Sequence, residues 1–279
     1  MPDITAAMVK ALRDKTDLPM MDCKAALIEA HGDEAKAIEL LQKKARGKLV
    51  TKADRETAEG RIAVYADERA GVAGIVELRC ETNPVAQNQV FAELAARIAQ
   101  AVADQPEPAP SPEKIVCLKG PDGSPVQDMM GDVFGKLREN MKIQRARRLT
   151  GSRFGSYIHH DGKTGVLVAL EGQPTSPEVV KDLCMHVAFA KPLGINRQAI
   201  SATEVEKVRQ MAREVARSEG KPEQIVERIA EGKVNAWFAE QVLLEQEHVK
   251  HPKQKVGDVL KRGGISSVTD LAVFVVGGA

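Results

Sequence analysis

Apolar residues along this chain recur with two different periods, and the order in which the periods alternate predicts most of the architecture. Over the first fifty residues they return every three or four positions, as on one face of a helix. Met8, Val9 and Leu12 share such a face, with Thr5 placed to cap it. Pro19 starts a second helix as its first residue, and His31-Gly32 ends it. Asp33 caps a third, with Ala37, Ile38, Leu40 and Leu41 on its apolar side and Gly47 as its stop. A three-helix bundle follows from this, and then a polar connector from Thr51 to Glu59.

The period next drops to two. Arg61 to Tyr65 and Val72 to Cys80 read as a strand pair turning at Asp67 to Gly71. A polar corner follows, and Pro84 to Ala103 reads as one helix with Val90, Phe91, Leu94, Ile98 and Val102 on a single face. Asn83 is placed to cap that helix and Pro84 to fill its first position. The alternating prolines of Gln105 to Pro112 predict an extended linker, not a packed element. The pattern then recurs. Ser156 to His160 and Gly165 to Leu170 are strands about an Asp161-Gly162 turn, and Pro177 to Lys191 is a helix with Val180, Leu183, Cys184 and Val187 inward. Two strands then a helix, twice, predict a duplicated antiparallel sheet-plus-helix core and an α+β class.

Beyond the duplication lies a helical hairpin. Ser201 or Thr203 opens it, each followed three residues on by a glutamate, so both fit a capping box. Val205, Val208, Met211, Ala212 and Val215 form one stripe; Gly220 ends the helix, Pro222 starts the next, and Gly232 ends that. Such a pair makes either a protruding coiled-coil-like arm or a hairpin folded flat on the body. From Val256 a helix returns, then a strand ending at Val276. The domain boundaries expected are 1–50 for the bundle, 55–140 and 141–200 for the two core halves, 201–235 for the hairpin and 236–279 for a module completing the second half.

Composition narrows the function. Across 279 residues, 43% are hydrophobic, yet no apolar run reaches the ~18–20 residues of a spanning helix. The N-terminus lacks the basic and apolar regions of a signal peptide, so the cytoplasm is the expected location. With 40 basic and 39 acidic residues and 3% aromatics, bulk nucleic-acid binding by charge or stacking is disfavoured. The local exception is Lys142 to Arg148, which reads as a solvated helix end or as an RNA patch. Cys23, Cys80, Cys117 and Cys184 are too widely spaced for a zinc ribbon and read as four reduced thiols. Gly162-Lys163-Thr164 resembles the end of a phosphate loop, but the glycine that motif needs five residues earlier is Tyr157. His159 and His160, adjacent on a strand, point to opposite faces and cannot jointly hold a metal. No catalytic, cofactor or metal site is expected, and hence no enzyme.

Several ordered segments resemble one family. They are Ile4-Thr5-Ala6, Val9-Lys10, Leu12-Arg13 and Met20-Met21-Asp22-Cys23-Lys24-Ala25-Ala26-Leu27; then Cys80-Glu81-Thr82, Val85-Ala86 and Phe91. Tyr157-Ile158-His159-His160, Gly165-Val166-Leu167-Val168, Met185-His186-Val187-Ala188, Gly220-Lys221-Pro222-Glu223 and Leu243-Leu244-Glu245-Gln246 continue the match over nearly the whole chain. Together they resemble bacterial elongation factor Ts, the guanine nucleotide exchange factor of elongation factor Tu. The resemblance implies a ubiquitin-associated-like N-terminal domain, a duplicated core and a coiled-coil arm. It implies elongation factor Tu, GDP-bound and nucleotide-free, as the partner, with a homodimer or 2:2 complex as the larger assembly, and no direct nucleic acid or membrane.

By the same resemblance, Met20, Met21, Cys23 and Lys24 touch the partner's G domain, and His159 and Val249 contact it elsewhere. Each has a plainer reading: a methionine filling a small core, or a solvent-facing strand histidine. Thr82, Asn83, Pro84 and Val85 would dislocate the partner's Mg2+. The family usually carries Thr-Asp-Phe-Val there, and its Phe is the wedge; here Asn83 and Pro84 replace the central pair. Two alternatives follow: a non-exchanging chaperone or scaffold of the same GTPase, or a ubiquitin-like or nascent-chain binder working through residues 1–50.

Overall fold

Helix caps set the first three elements. The computed structural model describes residues 4–278, apart from the side chain of Val50. In α1 (Ala6–Thr16) the Thr5 hydroxyl accepts the Met8 N–H at 3.3 Å. Pro19 flanks α2 (Met20–Glu29) rather than entering it. Left-handed His31 and Gly32 end that helix, and the Gly32 N–H returns to the Leu27 carbonyl at 2.9 Å. Asp33 receives the Lys36 N–H at 3.1 Å ahead of α3 (Glu34–Thr51). Val9, Leu12, Cys23, Ala26, Leu27, Ala37 and Leu41 close the bundle core.

The chain divides by its internal contacts into two units. The first holds the chain through Arg148, with Ile158–Gly165 and the residues from Phe274 onward. Its sheet has the order β1-β2-β3, from β1 (Glu59–Asp67), β2 (Val72–Cys80) and β3 (Met141–Thr150). β1 and β2 are antiparallel in the register Glu59↔Cys80 to Asp67↔Val72. Leu78, Phe91, Leu94, Ile98, Phe134 and Ile143 fill the core where helices cover this sheet. A Cβ on Gly74 would lie 2.2 Å from the Ala99 carbonyl oxygen, so only glycine lets the covering helix come this close.

The second unit spans Leu149–Tyr157 and Val166–Val273. Its sheet is built from β4 (Arg153–Ile158), β5 (Thr164–Gly172) and β8 (Ile265–Val275), in the order β4-β5-β8. Helix α8 (Pro177–Ala190), ended by left-handed Lys191, contributes Leu183, Cys184 and Val187 to a core shared with Val166, Val168 and Leu170. The short pair β6 (Glu247–His248) and β7 (His251–Lys255) leads into α11 (Val256–Arg262). Strand pairs followed by helices in both units make the protein α+β.

The structure corrects several sequence readings. Gly47 does not stop α3, which runs to Thr51 because it packs along α7 (Val126–Leu137). Arg46 pairs there with Asp128 at 2.9 Å, and Leu49 meets the core. Tertiary packing outweighs the ~1 kcal/mol that glycine costs a helix. The helix read as Pro84 to Ala103 is two: α4 (Asn83–Ala86) and α5 (Gln89–Asp104). Asn88 breaks them, its side chain capping α5 through the Val90 N–H at 2.9 Å. Thr82, not Asn83, occupies the cap position of α4, and Pro84 is the second helical residue.

The proline segment is not a free linker. Pro110 is buried, and the Pro108 carbonyl accepts the Arg148 N–H at 2.7 Å. It leads to α6 (Pro112–Ile115), then α7 and β3, all unread in the sequence. Lys142 to Arg148 is therefore strand, neither a helix end nor an open basic patch. Arg145 and Arg148 are turned onto protein partners, Glu77 at 2.8 Å and the Ala103 carbonyl at 2.9 Å.

Ser201 is the cap of α9 (Ala202–Ser218), its hydroxyl receiving the Glu204 N–H at 3.2 Å. α10 (Glu223–Gln241) passes straight through Gly232. Arg213–Glu227 at 2.8 Å and Arg217–Glu223 at 2.5 Å bind the two helices together, and this packing carries the helix past the glycine. Met211 and Val215 of the apolar stripe remain exposed.

Candidate functional site

The corner after β2 is held from below by a reciprocal pair of carboxylates. Thr82 is extended (φ −128°, ψ 153°), and its hydroxyl does not cap α4. Its N–H instead donates to Glu139 Oε2 at 2.9 Å and its hydroxyl to Oε1 at 2.5 Å. In return the Asn140 N–H donates to Glu81 Oε1 at 2.7 Å. The buried Asn140 carboxamide donates to the Ala53 and Arg55 carbonyls at 3.3 and 2.9 Å. The Cys80 thiol donates to the Thr82 carbonyl at 3.3 Å. Burial, reinforced by the Glu139 carboxylate, pushes that thiol up to about 12, so it stays protonated and inert as a nucleophile. Thr82, Asn83 and Pro84 are exposed, whereas Val85 is buried in the core beside Ala86.

The other flank of the corner meets a loop of the same unit. Gln87 Nε2 donates to the Asp161 carbonyl at 2.9 Å, and the Ile62 N–H to the Gly162 carbonyl at 2.8 Å. Gly162 has φ +72°, which closes the loop through its N–H to the His159 carbonyl at 2.8 Å. β4 stops at Ile158, so His159 and His160 lie in this loop. Their rings meet edge-on at 4.3 Å instead of pointing to opposite faces, because the backbone there is no longer extended. His159 is half-buried.

The start of α2 exposes both methionines, Met20 at 49% and Met21 at 73%, along with Lys24. Cys23 is fully buried, its thiol directed at the Leu18 carbonyl at 3.7 Å, so it supports this turn from inside and offers no surface. Asp22, between them, pairs with Arg138. Since Glu139 follows Arg138, one short segment ties the α2 turn to the corner.

Val249 belongs to the second unit and is 42% exposed. Its N–H donates to His186 Nδ1 at 3.3 Å, and the Lys250 N–H to His248 Nδ1 at 3.1 Å. Each bond fixes a neutral tautomer with the proton on Nε2; that of His186 donates to Gln246 Oε1 at 2.9 Å. The His248 ring lies 5.3 Å from His186 and 4.8 Å from His251. Burial, then the neighbouring imidazoles, depress His248 to about 4; burial also lowers His186. Among the described residues no three His, Cys, Asp or Glu side chains are grouped to hold a metal ion, and no helix is long and apolar enough to cross a membrane.

The family model described as Elongation factor TS matches residues 81–278. The chain belongs to the elongation factor Ts family. It is 41% identical over 278 residues to elongation factor Ts of Azoarcus sp., covering 99% of this chain and 92% of that one. It is 39% identical over 280 residues to elongation factor Ts of Bordetella petrii, with the same coverage. A third relative, elongation factor Ts of Aromatoleum aromaticum, is 40% identical over 280 residues, again covering 99% of this chain and 92% of its own. As a member of the elongation factor Ts family the protein is a translation elongation factor.

Sequence reasoning missed the residues that fix the elongation factor Ts corner: Gln87, Arg138, Glu139 and Asn140. Gln87 left one signal, as a polar residue beside Asn88 where a helix period is broken. The other three follow α7, an element itself unread, and no local pattern pairs Glu139 with a threonine 57 positions away.

Proposed function

We propose that this family member is a guanine nucleotide exchange factor for elongation factor Tu. It binds the GDP form, uses the Thr82–Val85 corner to disturb the Mg2+ side of the nucleotide site, releases Mg2+ and GDP, and leaves the empty GTPase to reload with GTP. Linkage requires that a factor favouring the empty state weaken nucleotide binding as much as nucleotide weakens the factor. A thousandfold faster release needs about 4 kcal/mol of differential stabilisation, which a few interface hot spots supply. The chain then performs no bond chemistry of its own and works in the cytoplasm, where translation elongation runs.

The observation that carries this reading is the exposure of Asn83 and Pro84 at a corner held on one flank through the Thr82 N–H and on the other through the Gln87 side chain. A tip of this kind can push on a partner without folding back. Met20, Met21 and Lys24 form the surface for the G domain, with Cys23 beneath them; adjacent exposed methionines make an adaptable apolar contact. His159 and Val249 serve as further contacts. The test is release of a fluorescent GDP from the cognate elongation factor Tu, with and without the chain. An unchanged rate eliminates the proposal. Binding without acceleration favours the scaffold reading, for which the observation is that Pro84 offers less apolar surface than a phenylalanine.

A further inference from the structure

We propose that Glu139 is the positioning residue that holds the corner in its working orientation and keeps it in register with the α2 turn. The inference rests on the exchange reading above. Its basis is geometric. α7 ends because Arg138 adopts a left-handed conformation (φ +64°), its N–H returning to the Phe134 carbonyl at 2.8 Å. That turn aims the next two residues at the corner. Glu139 spends both carboxylate oxygens on one residue, Thr82, and Asn140 donates back to Glu81. Two antiparallel two-residue segments, 81–82 and 139–140, thus grip each other through carboxylate-to-N–H bonds in both directions.

A threonine in the cap position normally turns its oxygen to the first helical N–H groups. Here the hydroxyl is withdrawn from α4 and given to Glu139. The orientation of a helix four residues long is thereby set from outside it, by charge-assisted bonds about twice as strong as neutral ones. The same segment reaches the other contact element: Arg138 pairs with Asp22 between Met21 and Cys23, and the Arg138 carbonyl accepts Lys52 Nζ at 3.1 Å. Residues 138–140 therefore fix the α2 turn and the corner against a common point. A tip that must act only as nucleotide leaves gains from being held before the encounter, since ordering it afterwards subtracts from the available binding energy.

The test uses the full chain and two readouts. The first is amide hydrogen exchange at Thr82, whose N–H Glu139 accepts. Glu139→Ala is expected to lower protection there at least tenfold while leaving β1 and β2 unchanged, and Glu139→Gln to lower it less. Retained protection at Thr82 in Glu139→Ala overturns the proposal, whatever the activity. The second is GDP release from elongation factor Tu, separated into the rate at saturating factor and the concentration for half-saturation. Glu139→Ala is expected to lower the saturating rate about tenfold with half-saturation moved less than threefold, and Glu139→Asp to recover part of the rate. The Thr82→Ala, Glu139→Ala double variant is expected to be no slower than the slower single variant. A change confined to half-saturation makes Glu139 an ordinary contact and overturns the proposal. If the parent chain itself fails to accelerate release, the exchange reading fails instead, and with it the functional half of the inference.

Discussion

Glu77 makes the sharpest stability prediction. Its side chain is fully buried in β2 and faces two guanidinium groups, Arg79 Nη1 at 3.0 Å and Arg145 Nε at 2.8 Å, with the Gly277 N–H at 3.2 Å. Arg79 is also held by the Thr57 and Ala58 carbonyls, and Arg145 by the Val275 carbonyl and the Phe274 ring. Glu77→Gln keeps the shape, removes the charge and sets an amide donor against donors. The two arginines remain placed by their other partners and cannot follow. Two charge-assisted bonds at about 1.5–3 kcal/mol each set the ceiling. The arginine side chains are 15% and 27% exposed, so water recovers part of that. The expected cost is about 3 kcal/mol, at the low end for a broken buried pair. Because two units need not unfold together, the assay is native-state hydrogen exchange at β1 and β2 amides. About 3 kcal/mol corresponds to roughly a hundredfold faster exchange where reclosing outpaces exchange and the rate reports the opening equilibrium. A change under about fivefold would refute the argument and mean that water already solvates the cluster.

Three further predictions follow from other sites. Gly232→Ala is expected to stabilise α10 by about 1 kcal/mol, since nothing lies within 4 Å of the added methyl and alanine suits a helix interior; slower exchange of α10 amides checks it, and faster exchange contradicts it. His248 gives a pH dependence: its folded value of about 4 lies below the unfolded 6.5, so the unfolded state takes up its proton first. Stability of the second unit is then lost as pH falls from about 6.5 to 4, by up to about 3 kcal/mol, and is flat below that for this group. His248→Gln should flatten the profile, and an identical profile would rule out His248 as its source. At the corner, Asn83→Asp with Pro84→Phe is expected to speed GDP release about fivefold, from about 1 kcal/mol of added apolar burial; an unchanged rate would show that the tip does not insert.

Residues whose partners lie close in sequence were legible. Thr5, Asp33 and Ser201 each cap a helix through a residue three positions on, and the β1–β2 hairpin sits about its predicted turn. Gly47 and Gly232 misled because a helix stop is a local tendency worth about 1 kcal/mol, and packing against α7 or α9 exceeds it. The segment from Pro112 to Thr150 was illegible for a related reason. α7 contains two glycines, and β3 buries Met141, Ile143, Ala146 and Leu149 without a strict period of two, while Arg145 finds its carboxylate at Glu77, far away in sequence. Of the corner, the strand-to-helix change was visible, but not its anchors. Cys23 was grouped with the exposed residues around it because a motif does not say which side chain turns inward.

The clasp on Glu77 also has a consequence in time. Its last donor, the Gly277 N–H, lies 200 residues downstream. At about 5–20 residues per second of synthesis, roughly 10–40 s separate the appearance of β2 from that of its final partner. Late in that interval, once the residues up to Gly165 have been made, the first unit has its bundle, its sheet and its corner, but its buried carboxylate is still short of one bond. A chain pausing late in translation therefore carries a corner already built on a unit whose buried carboxylate is not yet fully bonded.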